Sequence, residues 1–248
     1  MKIIEGIEYY DIEEMTEDFL INYTQIDVKL LLEEGKINGK IIENKWYADK
    51  EAIDNYIKLF LNEKYYTFGP LKVDLTNVKI NGTILDIGGG GEAVIEQFMG
   101  EKVVAIDPSK RELEEAPDSG ALNIIMDAKD LKFLDKTFDS VSSFFTMMYI
   151  PTADHKKIFE EIYRILKING EFFLWDLKVP KRQNKDKKVY VVLLKIKIPA
   201  KIIDAGYGIR WEKEQDAHHF LKVGQDIGFE VLEQNIEDDI FYIKFRKT

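Results

Sequence analysis

The stretch Ile84-Leu85-Asp86-Ile87-Gly88-Gly89-Gly90-Gly91-Glu92 constrains the chain most. Apolar residues and an aspartate run directly into four glycines, and a helix-like segment, Glu92 to Met99, follows. This pattern reads as a buried strand, a tight turn and a helix start. Glycine lets the backbone approach a ligand closely, because no Cβ intervenes and positive φ is allowed. The N–H groups of a following helix favour a polar or anionic group. A small-molecule cofactor site on an α/β sheet is the first expectation.

Strands and helices alternate from residue 83 onward. Thr83–Ile87, Val103–Ile106, Asn123–Met126, Phe138–Phe145 and Glu171–Trp175 read as strands. Glu92–Met99 (with Gly100 as C-cap), Ser109–Ala116 (with Ser109 as N-cap) and Thr152–Lys167 read as helices. Continuous apolar strands joined by helices predict a parallel sheet covered on both faces. Further on, Val189–Ile198 and Lys201–Trp211 read as paired strands and Glu212–Ile227 as a helix. Gly228–Leu232 and Ile240–Phe245, joined by a Glu237-Asp238-Asp239 turn, read as a terminal hairpin that places one antiparallel strand in the sheet.

Residues 1–80 read differently, as an N-terminal cap ahead of a main domain at 81–248, with Asn81-Gly82 at the boundary. Thr16–Tyr23, Asp27–Glu34 and Asp49–Asn62 have helical spacing, and a short hairpin falls between the last two. That order, with Val28-Lys29-Leu30-Leu31-Leu32 and Lys45-Trp46-Tyr47, resembles excisionase-type winged-helix domains. Charge argues against DNA contact: residues 21–60 hold six Lys and seven Asp/Glu, a net of −1.

The net charge of −10 over 248 residues disfavours a general nucleic-acid binder. No apolar run approaches the roughly 20 residues of a membrane helix, and Met1-Lys2-Ile3-Ile4-Glu5-Gly6 does not read as a signal peptide. Cysteine is absent and only His155, His218 and His219 are present, so no metal site is expected. A cytoplasmic protein is the resulting expectation.

Three carboxylates end successive strands: Asp86, Asp107 and Asp127. In an open α/β sheet ligands bind beyond these ends. Asp107, 19 residues after Gly88, is at the distance where a carboxylate meets ribose hydroxyls. Gly88-x-Gly90-x-x-Ala93 also fits a dinucleotide fingerprint. However, Asp86 and Glu92 flank the loop with negative charge, which suits a cationic, phosphate-free ligand such as S-adenosylmethionine better than a pyrophosphate.

At this point the chain resembles the class I S-adenosylmethionine-dependent methyltransferases. The resemblance rests on five pieces in register: Ile84–Gly90; Val104-Ala105-Ile106-Asp107; Met126-Asp127-Ala128-Lys129-Asp130-Leu131; Phe138-Asp139-Ser140-Val141 through Tyr149-Ile150; and Leu166-Lys167-Ile168-Asn169-Gly170-Glu171-Phe172. It implies a doubly wound, seven-stranded, mostly parallel sheet with one antiparallel strand. It also implies methyl transfer to a small-molecule acceptor, since the D/N-P-P-Y box is missing. Asp86, Gly88 and Gly90 would hold the methionine end and Asp107 the ribose hydroxyls. Asp127 and the Ala128 amide would meet the adenine, with Pro108 and Met126 packing near it, and Phe144 would abut the cofactor. Glu92 departs from the family, which commonly has glycine there; it would either bind the methionine ammonium or repel the carboxylate.

Candidates for acceptor contact or proton transfer are Tyr149 and His155, then Asp176, His218 and His219. Residues 178–211 read as an inserted basic hairpin, since Lys178 to Lys201 carries nine Lys/Arg and one Asp. Closure over an anionic substrate is expected of it, with a solvated hairpin as the alternative. Two other functions stay open: a cofactor-sensing or DNA-binding regulator using the N-terminal segment, and an NAD-dependent oxidoreductase.

Overall fold

The computed structural model describes residues 2–20, 24–183, 186–237 and 239–248. The Tyr23 end of the first expected helix, Lys185 of the basic run and Asp238 of the terminal turn lie outside them. The chain divides into two compact units, Met1–Tyr66 and Thr67–Thr248, rather than at residue 81.

The first unit contains β1 (Lys2–Ile4), β2 (Ile7–Asp11), α1 (Ile12–Asp18), α2 (Gln25–Glu33), β3 (Gly39–Ile42), β4 (Lys45–Asp49) and α3 (Lys50–Lys64). Its strands form an antiparallel sheet in the order β1-β2-β4-β3. The first helix begins at Ile12, four residues before the expected Thr16, because Asp11 caps it: the Asp11 side chain accepts from Glu14 N, and Glu14 Oε2 accepts from Asp11 N. The expected hairpin is present as β3 and β4, but β1 and β2, unread in the sequence, extend it into a sheet. Met15, Val28, Leu32, Ile37 and Ile53 centre this unit's own core.

β5 (Tyr65–Asp74), another strand the sequence reading missed, runs across the boundary between the two units and lies in the second unit from Thr67 onward. There follow β6 (Ile84–Ile87), α4 (Val94–Met99), β7 (Val103–Asp107), α5 (Lys110–Glu115), β8 (Leu122–Ile125) and β9 (Phe138–Phe144). Next come α6 (His155–Ile165), β10 (Leu166–Leu177), β11 (Val189–Ile198), β12 (Lys201–Arg210), α7 (Ala217–Ile227), β13 (Phe229–Ile236) and β14 (Ile240–Lys247). The expected seven-stranded sheet forms in the order β13-β14-β10-β9-β6-β7-β8. β6 pairs parallel with both β7 and β9, and β14 is antiparallel to both its neighbours. The strand order therefore reverses at β6, and Asp86 lies beside the crevice that this reversal opens.

One face of the sheet is covered by α6 and α7, whose Ile158, Phe159, Ile162 and Phe220 pack on Leu85, Val141, Phe172 and Ile243. The other face corrects the reading of residues 178–211. β11 and β12 form a long antiparallel hairpin, and with β5 they make a separate three-stranded sheet. Along β11, Tyr190, Val192, Leu194, Ile196 and Ile198 are buried at a period of two and join the core with Val94, Ile95 and Trp175. Period-two alternation is how a strand with one wet face stays on a core. The intervening Lys195 and Lys197 pair with Asp204 and Asp74 at 3.2 and 3.3 Å. The hairpin is thus a covering layer with a charged outer surface. α7 starts at Ala217, not Glu212, because Asp216 caps it by accepting from His219 N at 3.0 Å. Among the described residues no helix is long and apolar enough to cross a membrane.

Candidate active site

A cavity of about 860 Å³ opens at the carboxyl ends of β6, β7 and β8. Asp86, Gly88, Gly90, Glu92, Asp107, Pro108, Met126, Asp127, Ala128, Phe144 and Tyr149 all line it. Of the candidate residues, His155, Asp176, His218 and His219 do not.

The glycine loop is shaped by close approach. Gly88 turns at φ +79°, its N–H donates to Ile106 O at 2.8 Å, and a Cβ there would lie 2.2 Å from Thr146 Oγ1. Two non-glycine residues also adopt left-handed backbone beside the cavity: Ala93 (φ 45°), the N-cap of α4, and Phe145 (φ 52°), which follows β9. Such conformations cost energy in an L-residue and persist where surrounding structure enforces them. At Phe145 the enforcing contact is its N–H, which donates to Trp175 O at 2.8 Å.

The parallel register of β6 and β9 sets Asp86 opposite Ser142, and Ser142 Oγ donates to Asp86 Oδ1. Burial pushes the Asp86 carboxyl up to about 7. Glu96, one turn into α4, is 1% exposed. Its carboxyl lies behind Gly89, where a Cβ would come within 2.0 Å of Oε1. Neither Glu96 oxygen has a hydrogen-bond partner of ordinary geometry. Burial and the charge of Asp86 raise Glu96 well above the usual carboxylate range. The sequence reading passed over Glu96; its signal is a glutamate set among apolar Val94, Ile95 and Phe98.

Asp107 is half-buried at the end of β7, and its Oδ1 accepts from Ser109 N at 2.7 Å. Burial raises its carboxyl, and the Ser109 amide opposes the rise. Asp127 is exposed; its Oδ1 accepts from Lys129 N at 2.9 Å, and Lys129 Nζ stands 3.7 Å from Oδ2. Ala128 is buried beside it.

Two elements that the sequence reading did not assign complete the walls. β12 contributes Gly206 and Tyr207. The Tyr207 ring stacks on Phe145, with centroids 5.5 Å apart and planes at 9°. A tyrosine flanked by two glycines on a strand was the available signal. From α5, Glu112 and Glu115 line the side. Tyr149 is 52% exposed overall, but its hydroxyl is shielded and the Gly208 N–H donates to it. Burial, reinforced by the Glu92 charge, lifts the phenols of both Tyr149 and Tyr207 above their ordinary range.

His155 corrects the sequence reading. It is 1% exposed and faces away from the cavity. Its Nε2 lies 3.1 Å from both Met147 O and Ile150 O, and its Nδ1 lies 2.9 Å from His219 Nε2. Burial, with the charge of Lys213 next, lowers it to about 4. Lys213 Nζ donates to the same two carbonyls, at 3.0 and 2.5 Å. Asp176, fully buried and pushed up to about 7, accepts from Met148 N at 3.1 Å and from Gln215 Nε2 at 3.0 Å. These groups clamp the backbone of Met147–Ile150, the loop that carries Tyr149. His218 is exposed and also lies off the cavity.

The charge of the lining decides which cofactor fits. Seven carboxyl side chains face the cavity: Asp86, Glu92, Asp107, Glu112, Glu115, Asp127 and Asp154. Lys129 is the single base among the described lining residues, and it is paired with Asp127 and Asp154. A pyrophosphate would meet repulsion here, whereas a sulfonium with an ammonium, a ribose and an adenine would not. The family model for a methyltransferase domain matches residues 85–174, which span β6 to β10. Over those residues the chain matches a methyltransferase domain. Its cofactor is S-adenosylmethionine, whose expected contacts are the residues gathered around this cavity.

Relatives agree with that assignment. YrhH of Bacillus subtilis (strain 168), which bears a methyltransferase name, is 27% identical over 168 residues, covering 62% of this chain and 88% of that one. Phosphoethanolamine N-methyltransferase of Plasmodium falciparum (isolate 3D7) is 27% identical over 169 residues, 63% of each chain. Among solved structures, the [4+2]-cyclase SpnF aligns with a TM-score of 0.50 at 14% identity, covering 80% of this chain and 82% of that one. That likeness shows the fold alone, and a shared fold does not fix a reaction.

Proposed function

We propose that the protein transfers the methyl group of S-adenosylmethionine to a small-molecule acceptor bound in the same cavity. The observation that carries this reading is the crevice at the sheet reversal, with the glycine loop, Asp107 and an acidic lining around it. The Plasmodium relative is named for methylation of a small amine, phosphoethanolamine, which agrees with a small acceptor.

Bound cofactor would supply a methyl group activated by its positive sulfur. The chain's own part is then to bind, orient and exclude water. Asp86 and the Gly88 and Gly90 backbone would hold the methionine end, Asp107 the ribose hydroxyls, and Asp127 with the Ala128 amide the adenine. Pro108, Met126 and Phe144 supply apolar surface. Displacement at a methyl carbon is sensitive to alignment, and holding reactants in line can contribute several kcal/mol. The clamped Met147–Ile150 loop suits that role, because two carbonyls, each met by Lys213 and His155, fix where Tyr149 stands. His155 supports that loop and is not assigned proton transfer.

Calorimetry separates this reading from the oxidoreductase alternative. S-adenosylhomocysteine should bind the protein and NAD should not. Tight binding of NAD without S-adenosylhomocysteine would refute the proposal.

A further inference from the structure

We propose that the methyl acceptor is an amine, received against an aromatic wall made by Phe145, Tyr149 and Tyr207 with Glu92 beside it. This inference rests on the methyl-transfer reading above.

The sheet order separates the two ends of the cavity. Asp107 and Asp127 lie one and two strands to one side of Asp86, at the end of β7 and just after β8. Phe144 and Phe145 lie on the opposite side, at the end of β9, and β12 brings Tyr207 against Phe145. Neighbouring strands are about 4.8 Å apart, so the cofactor's nucleoside end and this wall are separated by several strand spacings at most. The acceptor belongs on the β9 and β12 side, which the nucleoside leaves free.

That wall carries no base. Lys129, the one basic residue among the described lining residues, follows β8 and is occupied by Asp127 and Asp154. None of the described lysines of 178–201 lines the cavity, although β11 and β12 do cover this face. Those described lysines therefore offer no grip on an anionic acceptor. Glu92 instead lines the same cavity as Tyr149 and Tyr207, and its charge acts on both phenols. The phenols stay uncharged at neutral pH and present π faces and hydroxyls.

The movement of charge during transfer decides among acceptor classes. With an amine, the nitrogen lone pair forms the N–C bond as the S–C bond breaks, its electron pair stays on sulfur, and the positive charge passes to nitrogen. A proton then leaves nitrogen for water. A cation is present before and after the step, and aromatic faces with a carboxylate stabilise a cation throughout. With a carboxylate or phenolate acceptor, an anion would have to enter an acid-lined cavity and the charge would be annihilated. Glu92, which departs from the glycine common in the family, thereby acquires a function at the acceptor end.

The test uses the full chain saturated with S-adenosylhomocysteine. Benzyltrimethylammonium serves as a product-like cation and benzoate as an anion of similar shape, with binding read by calorimetry. The cation should bind at least about tenfold more tightly than benzoate, and Glu92→Gln and Tyr207→Ala should each weaken it about three- to tenfold. Thermal melts confirm that both variants fold. Equal or tighter binding of benzoate, or cation binding indifferent to both substitutions in folded protein, would overturn the amine assignment. Failure of S-adenosylhomocysteine itself to bind would instead reject the methyl-transfer reading.

Discussion

Asp86 and Glu96 form a buried carboxyl pair on either side of the glycine loop: Asp86 ends β6, and Glu96 sits 1% exposed behind Gly89. Both are raised by burial, and the charge of Asp86 further raises Glu96. Two acids in one apolar pocket cannot both ionise cheaply. In the ligand-free protein the pair therefore keeps a proton near neutral pH, and a cationic ligand group beside Asp86 would favour its loss.

A pH-dependent stability follows, with a sign opposite to that of salt-bridged carboxylates. Unfolded Asp loses its proton near pH 4, whereas folded Asp86 holds it up to about 7. Between these values the native state binds more protons, so raising the pH lowers stability across that window and has no further effect above it. Asp176, also at about 7, adds the same slope. His155, lowered to about 4, contributes the opposite slope between its folded value and about 6.5. Comparison with a variant isolates the pair. Asp86→Asn or Glu96→Gln should flatten the decline and raise stability at pH 7.5 by on the order of 1–3 kcal/mol relative to pH 5. Urea melts at the two pH values check this, and an unchanged slope in both variants would contradict it.

Asp107→Asn should lower affinity for S-adenosylhomocysteine roughly ten- to hundredfold, the worth of charge-assisted hydrogen bonds to ribose. The fold should survive, because the asparagine oxygen can still accept from Ser109 N, 2.7 Å away in the native protein. Calorimetry with circular dichroism gives both readings.

Lys213→Met should loosen the Met147–Ile150 loop by removing donors that stand 3.0 and 2.5 Å from its two carbonyls. The expected signature is a roughly tenfold fall in kcat with a small change in cofactor affinity, because alignment rather than cofactor binding is lost. A cofactor affinity that falls as much as kcat would place Lys213 in the wrong role.

Gly89→Ala should destabilise by about 1–3 kcal/mol, since the new methyl meets Glu96 Oε1 at 2.0 Å and Ala105 Cβ at 2.7 Å. Glu96→Ala in the same chain should recover part of that loss. A double-mutant cycle measures the coupling, and strict additivity would show that the two side chains do not compete for space.

Much of the sheet was legible because its signals are local. Continuous apolar strands, an acidic residue at each end and a glycine turn are written in short windows, and they located Asp86, Asp107 and Asp127. The terminal hairpin and its antiparallel strand followed from the same patterning. β5 was missed because Tyr65–Asp74 contains Gly69-Pro70 and gains its strand character by joining β11, which lies more than a hundred residues away. The two strands of the basic run were legible, but its role as a covering layer was not, for a related reason. Its lysines are conspicuous in the sequence, but alternate positions of Val189–Ile198 face the core and the cations meet Asp74 and Asp204 across strands. His155 looked like a candidate because imidazole is versatile; only its burial beneath Met147–Ile150 shows that it supports a loop.

The sequence by itself determined the α/β class, the glycine loop, the carboxylates at the strand ends and the resemblance to the S-adenosylmethionine-dependent methyltransferases. Each depends on residues near one another in the chain and on a periodicity that backbone geometry imposes. The tertiary structure decided what surrounds that loop. It placed Glu96 behind Gly89, brought Tyr207 from β12 onto Phe145, and kept the described lysines of that hairpin out of the cavity lining. Those outcomes depend on contacts between distant segments, where burial and charge are set by packing and not by neighbours in sequence. The acceptor end of the cavity, and with it the expected class of substrate, belongs to that second category.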